Sequence, residues 1–399
     1  MNIDYLEKAS EIEADLIEWR RHLHQYPETA FLEYDTAEFV KKHLESFGLT
    51  VTSHVAKTGI TATIYGKHDG PTIAIRADMD ALPIQDEKDV EYRSKVAGTA
   101  HLCGHDAHTT MLMGVAKILS AHPPEFGNVK LIFQPAEEKF GGAKYMIKEG
   151  VLENPAVDAI VALHVCSKTD VGNITVADGI AHACTDGFTI TIEGKGGHAA
   201  HPHLSTDAIT IASTFVTTVQ QIISRELNPM EPVVITVGEF HGGSNPNAIA
   251  QTVTLSGTVR LLNPDLRKPV QKIIERYLDG IVGGMGGTFE FNYREGYPPV
   301  KNDHEMVNRL DGVAARVLGK DRLIYKNASM GGEDFAYYTF EVPALMFRLG
   351  IRNESRGIVV PGHHPEFDID ESAMKYGVAV FLEYANQYLR EQSRVLRVK

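Results

Sequence analysis

The residues best suited to chemistry are concentrated in one short segment, HLCGHDAH, at residues 101–108. Three histidines, one cysteine and one aspartate lie there within about two helical turns. Deprotonated Cys and neutral His side chains are good ligands for borderline metal ions. The same segment could instead supply a cysteine nucleophile, or it could be a helix start with Asp106 as the cap and solvated histidines. The rest of the chain has to distinguish these three interpretations.

Further candidate ligands come at or just after hydrophobic runs elsewhere in the chain. They are Asp78, Glu137, Glu138, His164, His363 and His364. In an α/β protein the carboxyl ends of the strands lie along one edge of the sheet, so these residues are expected to converge. Two adjacent glutamates on an extended stretch would point to opposite sides, and one could then bind a metal while the other acts as a general base.

These residues together exceed the needs of a single tetrahedral metal site. Counting one glutamate and one histidine from each adjacent pair, about five ligands are available, among them Cys103 and His105. The sequence therefore predicts two divalent cations that share a bridging water and lower its pKa. The remaining glutamate would take the proton of this water and pass it to a leaving amine.

The order of the predicted elements indicates two domains. Apolar β-rich runs alternate with helical segments on both sides of a central insertion, which predicts an α/β domain with a mixed, largely parallel sheet flanked by helices. The insertion has the order β-α-β-β-α-β of a ferredoxin-like α+β domain. We expect a catalytic domain formed by residues 1–185 and 295–399, and the inserted domain at residues 186–294. One long amphipathic helix is expected before Pro27.

The composition favours a globular enzyme and disfavours other classes. The chain has 399 residues, 43% of them apolar and 23% charged, which is typical of a folded two-domain protein. The net charge of −13 disfavours nucleic-acid binding. The sequence shows no apolar run that would span a membrane and no signal-peptide pattern, and its three cysteines fit a reducing compartment, so we expect a cytoplasmic protein without a membrane partner.

Eight short motifs resemble, in order, the amidohydrolase branch of the aminoacylase/carboxypeptidase metallopeptidase family. They are RADMDALP, CGHDAHT, FQPAEE, LHV, GKGGHAAHPH, NPNAIA, MGGEDF and HHPEFDIDE. Members of this branch include hippurate hydrolase, bacterial aminoacylases, N-acetyl-diaminopimelate deacetylase and plant auxin-conjugate hydrolases. Each motif is weak alone, but together they cover nearly the whole chain. The resemblance implies a metal-dependent enzyme that hydrolyses N-acyl-L-amino acids and dimerises through its inserted domain.

The resemblance also implies roles for individual residues. The metal ligands would be Cys103, His105, Glu138, His164 and His363. Glu137 would be the general base, and His198 of the inserted domain would stabilise the oxyanion of the tetrahedral intermediate. Asn247 would bind substrate, and Arg260 would bind the substrate carboxylate, although Arg260 could equally be a surface charge on a strand.

One position departs from the family pattern. Asp78 matches an acid that steadies the metal site in related branches, but those branches carry a histidine where this chain has Arg76. The role of Asp78 therefore stays open, and Cys103 would supply the missing ligand. Asp334 in MGGEDF has no role that the sequence assigns.

Several alternatives remain open on the sequence alone. The cations could be zinc, manganese, cobalt or nickel, the assembly a homodimer or a dimer of dimers, and the substrate a short peptide or N-acetyl-diaminopimelate. A metal-free cysteine amidase using Cys103 would leave the glutamates, His164 and His363 without a function. A non-catalytic metal-binding dimer would have no need of Glu137.

Overall fold

The computed structural model describes residues 3–398, which form two compact units. The first unit comprises the described residues up to Ala181, Lys301–Asn327 and the described residues from Asp334 onward, and the second comprises His182–Val300 and Ala328–Glu333. The predicted insertion boundaries lie at 186 and 294 and leave out the segment Ala328–Glu333. This segment belongs to the second unit because the Ala183 N–H donates to the carbonyls of Ser329 and Gly331, at 3.0 and 3.1 Å.

Helices and strands follow one another through most of the described chain. The α-helices are α1 (Tyr5–Glu11), α2 (Glu13–Gln25), α3 (Tyr34–Ser46), α4 (His105–Ala121), α5 (Gly142–Lys148), α6 (Ala208–Thr218), α7 (Arg267–Leu278), α8 (His304–Val317) and α9 (Ala373–Val398). The strands are β1 (Val51–Val55), β2 (Gly59–Tyr65), β3 (His68–Asp78), β4 (Phe126–Gln134), β5 (Ala159–Asp170), β6 (Ile174–Val176), β7 (Gly179–His182), β8 (Cys184–Glu193), β9 (Gly197–His198), β10 (Val233–Gly242), β11 (Ala248–Ile249), β12 (Thr252–Leu261), β13 (Thr288–Glu295), β14 (Val300–Asn302), β15 (Leu323–Tyr325) and β16 (Ala344–Arg352). No helix in the described part of the chain has the length and apolar content that crossing a membrane requires.

The first unit is built on an eight-stranded mixed sheet with the order β1-β2-β4-β3-β5-β16-β6-β15. Its central strands β4, β3, β5 and β16 run parallel, which confirms the predicted fold class. Strands β3 and β4 are buried over most of their length, as expected for strands covered on both faces. Asp78 pairs with Gln134, and Arg76 pairs with Ala162. The ends of β3 and β4 and the middle of β5 therefore lie at one place.

Helix α4 carries His105 at its first position and is buried on nearly all sides. A helix that is covered all round belongs to the core of its domain, and α4 contacts α2, α9 and β3. Its N-cap is Gly104, whose φ is 94°. A Cβ at Gly104 would lie 2.3 Å from Cγ2 of Val165 in β5. Glycine at this position therefore lets Cys103 and His105 approach β5 closely.

The second unit has a separate core and a four-stranded antiparallel sheet with the order β10-β12-β8-β13. Helix α6 lies between β8 and β10 in the chain, and α7 lies between β12 and β13. This arrangement is the predicted ferredoxin-like order. Strand β8 alternates buried and partly buried residues, which is typical of an antiparallel sheet that packs its helices on one face.

Two predicted elements differ from the structure. The single N-terminal helix is two helices, α1 and α2, which break at Ile12 (φ −106°, ψ 11°). The Ser10 hydroxyl donates to the Leu6 carbonyl at 2.8 Å, a bond that competes with regular helix hydrogen bonding and is associated with bending. Strand β5 does not end at His164 but continues to Asp170, because β16 pairs with it as far as that residue.

The close approach at Gly104 gives a stability prediction. Gly98 also has a left-handed φ, 70°, but nothing lies within 4 Å of a Cβ built there. Gly98→Ala should lower the free energy of unfolding by about 1 kcal/mol through backbone strain. Gly104→Ala should cost about 1–3 kcal/mol more, because its methyl group overlaps Val165. Chemical denaturation measures both values, and equal losses would contradict the close packing of Gly104 on β5.

Candidate metal centre

The structure brings all five predicted ligands of the first unit together, in two groups. Ligand atoms of Cys103, His105 and His164 lie within 4.8 Å of one another. Ligand atoms of Cys103, Glu138 and His363 also lie within 4.8 Å of one another. Cys103 is common to both groups, so its sulfur is placed where it can contact two cations.

The adjacent glutamates are held in a turn after β4. The prediction that they lie on an extended stretch, with their carboxylates on opposite sides, is wrong, because ligand atoms of Glu137, Glu138 and His105 all lie within 4.8 Å of one another. Ala136 has a left-handed φ of 58°, which turns the chain there. The Asp80 carboxylate accepts the N–H groups of Glu137 and Glu138, both at 3.0 Å, and fixes the turn.

Backbone carbonyls set the tautomers of two candidate ligands. Nδ1 of His105 lies 2.9 Å from the Asp80 carbonyl, and Nδ1 of His164 lies 2.8 Å from the Val165 carbonyl. A carbonyl only accepts, so Nδ1 carries a proton in each ring, and Nε2 is the nitrogen that could bind a cation. Nε2 of His164 is 3.3 Å from Sγ of Cys103. Nε2 of His105 is buried and has no hydrogen-bond partner among the described residues.

The electrostatics of Cys103 and Glu138 fit a cation between them. Burial raises the pKa of the Cys103 thiol well above its usual range, and the nearby Glu138 charge raises it further. Burial also raises the pKa of the Glu138 carboxyl, against the opposing effect of His105 and His363. Both groups bind metals in their ionised forms, which a divalent cation would favour. Oε1 of Glu138 is buried without a hydrogen-bond partner among the described residues, 3.5 Å from Nε2 of His363.

Asp78 and His108 form a support beside these ligands. Nδ1 of His108 donates to Asp78 at 2.6 Å, and its Nε2 accepts the Val165 N–H at 2.9 Å, so both ring nitrogens are occupied. The other Asp78 oxygen accepts from Arg76 at 2.7 Å. Burial alone would raise the pKa of Asp78, but His105, Arg76 and His108 hold this pKa well below its usual range. Asp78 is therefore an ionised carboxylate that anchors α4 to β3.

Three contributors were missed or left without a role at the sequence level. Asp80 orients both glutamates, and the acid pair in RADMD after β3 could have indicated it. Glu33 accepts the Ala136 N–H at 2.9 Å, and burial raises its pKa to about 7. The Asp334 N–H lies 3.4 Å from Oε1 of Glu137. No sequence pattern separates Glu33 from an ordinary surface acid.

The interpretation of HLCGHDAH as a solvated helix start is wrong. His101, His105 and His108 are at most 1% exposed. Asp106 is not the helix cap, since its carboxylate accepts from Nε of Arg20 at 2.9 Å and lies 2.7 Å from Nδ1 of His24. Asp106 and His108 are buried with hydrogen-bond partners, whereas both ring nitrogens of His101 are buried without a partner among the described residues.

His198, predicted to stabilise the oxyanion, and the predicted substrate-binding residues Asn247 and Arg260 belong to the second unit. His198 lies on β9 and Asn247 directly precedes β11, where the Ala199 N–H donates to the Asn247 carbonyl at 3.0 Å, and both residues are exposed. Arg260 lies on β12 opposite Thr185. It is partly buried, which lowers its pKa, and no carboxylate among the described residues forms an ion pair with it.

Comparison with known proteins identifies the family. The sequence model of Peptidase family M20/M25/M40 matches residues 74–387. An N-acyl-L-amino acid amidohydrolase of Geobacillus stearothermophilus is 43% identical over 78% of this chain and 84% of its own. An N-acetyl-L-cysteine deacetylase of Bacillus subtilis is 37% identical over 97% and 91% of the two chains.

A solved structure of an M20-family protein is also similar to this chain. The YxeP protein of Bacillus subtilis, described as a dinuclear metal-binding peptidase of the M20 family, superposes with a TM-score of 0.82 at 34% identity. The match covers 96% of this chain and 99% of that protein. The resemblance found in the eight motifs is confirmed. The chain belongs to Peptidase family M20/M25/M40.

Proposed function

We propose that this protein is a metal-dependent amidohydrolase that cleaves the amide bond of N-acyl-L-amino acids. The observation that carries the proposal is the pair of ligand groups joined at Cys103, with Glu137 beside them. The names of the two amidohydrolase relatives support the reaction, and the dinuclear YxeP structure supports two cations. A metal-free cysteine amidase is disfavoured because the pKa of the Cys103 thiol is raised, whereas a nucleophilic cysteine needs a lowered one.

The five candidate ligands would hold two cations, with Cys103 common to both. Cys103, His105 and His164 would hold one, and Cys103, Glu138 and His363 would hold the other. Two cations at such a site lower the pKa of water and polarise the scissile carbonyl. The thiolate favours a borderline ion, namely zinc, cobalt or nickel, and manganese is the alternative that the carboxylate tolerates.

Glu137 is proposed as the general base. Its carboxylate is only 7% exposed and has an oxygen within 4.8 Å of ligand atoms of His105 and Glu138. It can take a proton from the attacking water and deliver this proton to the leaving amine. The Asp334 N–H and the Asp80 carboxylate hold the turn that carries it.

Three residues of the second unit are proposed to act on the substrate, and the same unit is proposed to mediate assembly. His198 would donate to the oxyanion, Asn247 would bind substrate, and Arg260 would pair with the substrate carboxylate. Support for a homodimer or a dimer of dimers comes from large apolar side chains exposed on this unit. They are Leu204, Ile209, Met230, Val234, Phe240 and Met285. Burial of such side chains is a common basis of association. A cytoplasmic location is part of the same proposal and is supported by three free cysteines.

Removal of the metal tests the reaction class. Treatment with a strong chelator should abolish hydrolysis of N-acetyl- and N-benzoyl-amino acids, and reloading with zinc or manganese should restore it, because the attacking water depends on the cations. Initial rates and elemental analysis of the same samples provide the measurement. Full activity in protein shown to be metal-free would contradict the proposal and favour the thiol mechanism.

Replacement of the general base separates catalysis from metal binding. Glu137→Gln should lower turnover about 10²–10⁴-fold, because the carboxylate that moves the proton is lost. The metal content should equal that of the wild type, since Glu138 is retained. Glu45→Gln, on the exposed face of α3, is the matched control and should leave both quantities unchanged. A Glu137→Gln variant with wild-type turnover would exclude Glu137 as the base.

A further inference from the structure

His363 has the least support of the candidate ligands. Its side chain is 54% exposed, whereas those of Glu138 and His105 are 13% and 0% exposed. It lies in the segment between β16 and α9, beyond a short 3₁₀-helix at Glu354–Arg356, and its own φ is 66°. Its position relative to Cys103 must therefore come from contacts made by the rest of this loop.

Two backbone hydrogen bonds hold the loop near His363. The His363 N–H donates to the Leu102 carbonyl at 2.7 Å, directly before Cys103. The Glu87 N–H donates to the Pro365 carbonyl at 3.0 Å. The far end of the loop is held by one backbone bond to β16, from the Asp370 N–H to the Ile351 carbonyl at 3.1 Å, and by side chains.

Those side chains meet at Arg20, which is fully buried in α2. Its Nε donates to Asp106 at 2.9 Å, one terminal nitrogen donates to Asp368 at 2.7 Å, and the other lies 3.4 Å from Glu371. Asp106 directly follows the ligand His105, and Asp368 lies in the segment that carries His363, five residues before α9 begins. One guanidinium thus joins the two ligand-bearing segments, using a three-pronged geometry that lysine lacks.

Neighbouring residues hold the same carboxylates in place. The Tyr92 hydroxyl donates to the second oxygen of Asp368 at 2.6 Å, and the Arg20 guanidinium lies 4.9 Å from the centre of the Tyr92 ring. Arg21 binds both oxygens of Glu371, at 2.9 and 2.7 Å. Asp368 and Glu371 are thus oriented from two sides, which makes the end of the loop rigid.

We propose that Arg20 is a positioning residue that holds the His363 loop and so sets the affinity of the cation bound by Cys103, Glu138 and His363. The inference takes its ligand assignment from the proposed function. The cation held by Cys103, His105 and His164 depends on α4 and β5, which are packed in the core. Loosening the Arg20 network should therefore weaken the binding of the cation held by Cys103, Glu138 and His363. The binding of the other cation should stay unchanged.

Metal stoichiometry in chelator-buffered zinc tests this proposal on the full-length protein. Arg20→Lys and Asp368→Asn should bind the first cation as the wild type does, and should raise the dissociation constant of the second about 10–100-fold, the usual effect of removing an outer-shell partner. Tyr92→Phe, which keeps every charge, should give a smaller shift in the same direction. If Arg20→Lys does not fold, the metal stoichiometry of Tyr92→Phe tests the proposal in its place.

Arg309→Lys is the matched control for a general loss of stability. Arg309 is half-buried, with 10% side-chain exposure, and its Nε donates to Glu391 at 2.9 Å, which joins α8 to α9 away from the ligand-bearing segments. This variant should lower the unfolding temperature and retain both cations.

Three outcomes would overturn the inference. Equal weakening of both cations would show that Arg20 supports the whole centre, and unchanged binding in all three network variants would show that it supports neither cation. Both results leave the proposed function standing. A wild-type protein that binds no zinc would overturn the proposed function, and the inference with it.

Discussion

A half-buried thiol, Cys103, and a half-buried carboxyl group, Glu138, lie within 4.8 Å of each other in this protein, and a cation bound there would favour the ionised form of both. Burial raises the pKa of Cys103 and of Glu138, so without a cation both are pushed toward their neutral forms. A divalent cation at this position reverses the balance, because it binds the ionised forms. The surrounding structure is consistent with this requirement, since it directs lone pairs and carboxylate oxygens toward Cys103.

Asp80 shows how the fold meets this requirement. Its backbone carbonyl lies 2.9 Å from Nδ1 of His105 and so leaves Nε2 free to act as a ligand, while its carboxylate accepts the N–H groups of Glu137 and Glu138. One residue at the end of β3 therefore orients a ligand histidine, a ligand carboxylate and the proposed base. The same strand end contributes Asp78, which fixes His108 and α4. Hydrogen bonds of this kind hold ligands in place before the metal arrives.

The sequence predicted the parts of this arrangement that follow from topology. Candidate ligands at or after the apolar runs of parallel strands were expected at one site, and Glu138 and His164 lie there, although His164 stands within β5 and not at its end. The position of Cys103 did not follow from a strand end, since it lies just before α4. The ferredoxin-like order of the second unit followed from periodicity in the same way. The turn at Glu137 and Glu138 could not be predicted, because it depends on Ala136 adopting a left-handed φ and on the Asp80 carboxylate. The Arg20–Asp368 pair joins residues 348 positions apart, and periodicity carries no information about such pairs. The roles of His198, Asn247 and Arg260 stay predictions.

The central claim is that Cys103 lies between two cations. Anomalous diffraction from crystals of the zinc-loaded protein tests this claim most directly. The account predicts two anomalous peaks per chain, both in bonding contact with Sγ of Cys103, one shared with His105 and His164 and the other with Glu138 and His363. A single peak, or peaks that do not contact Cys103, would contradict it.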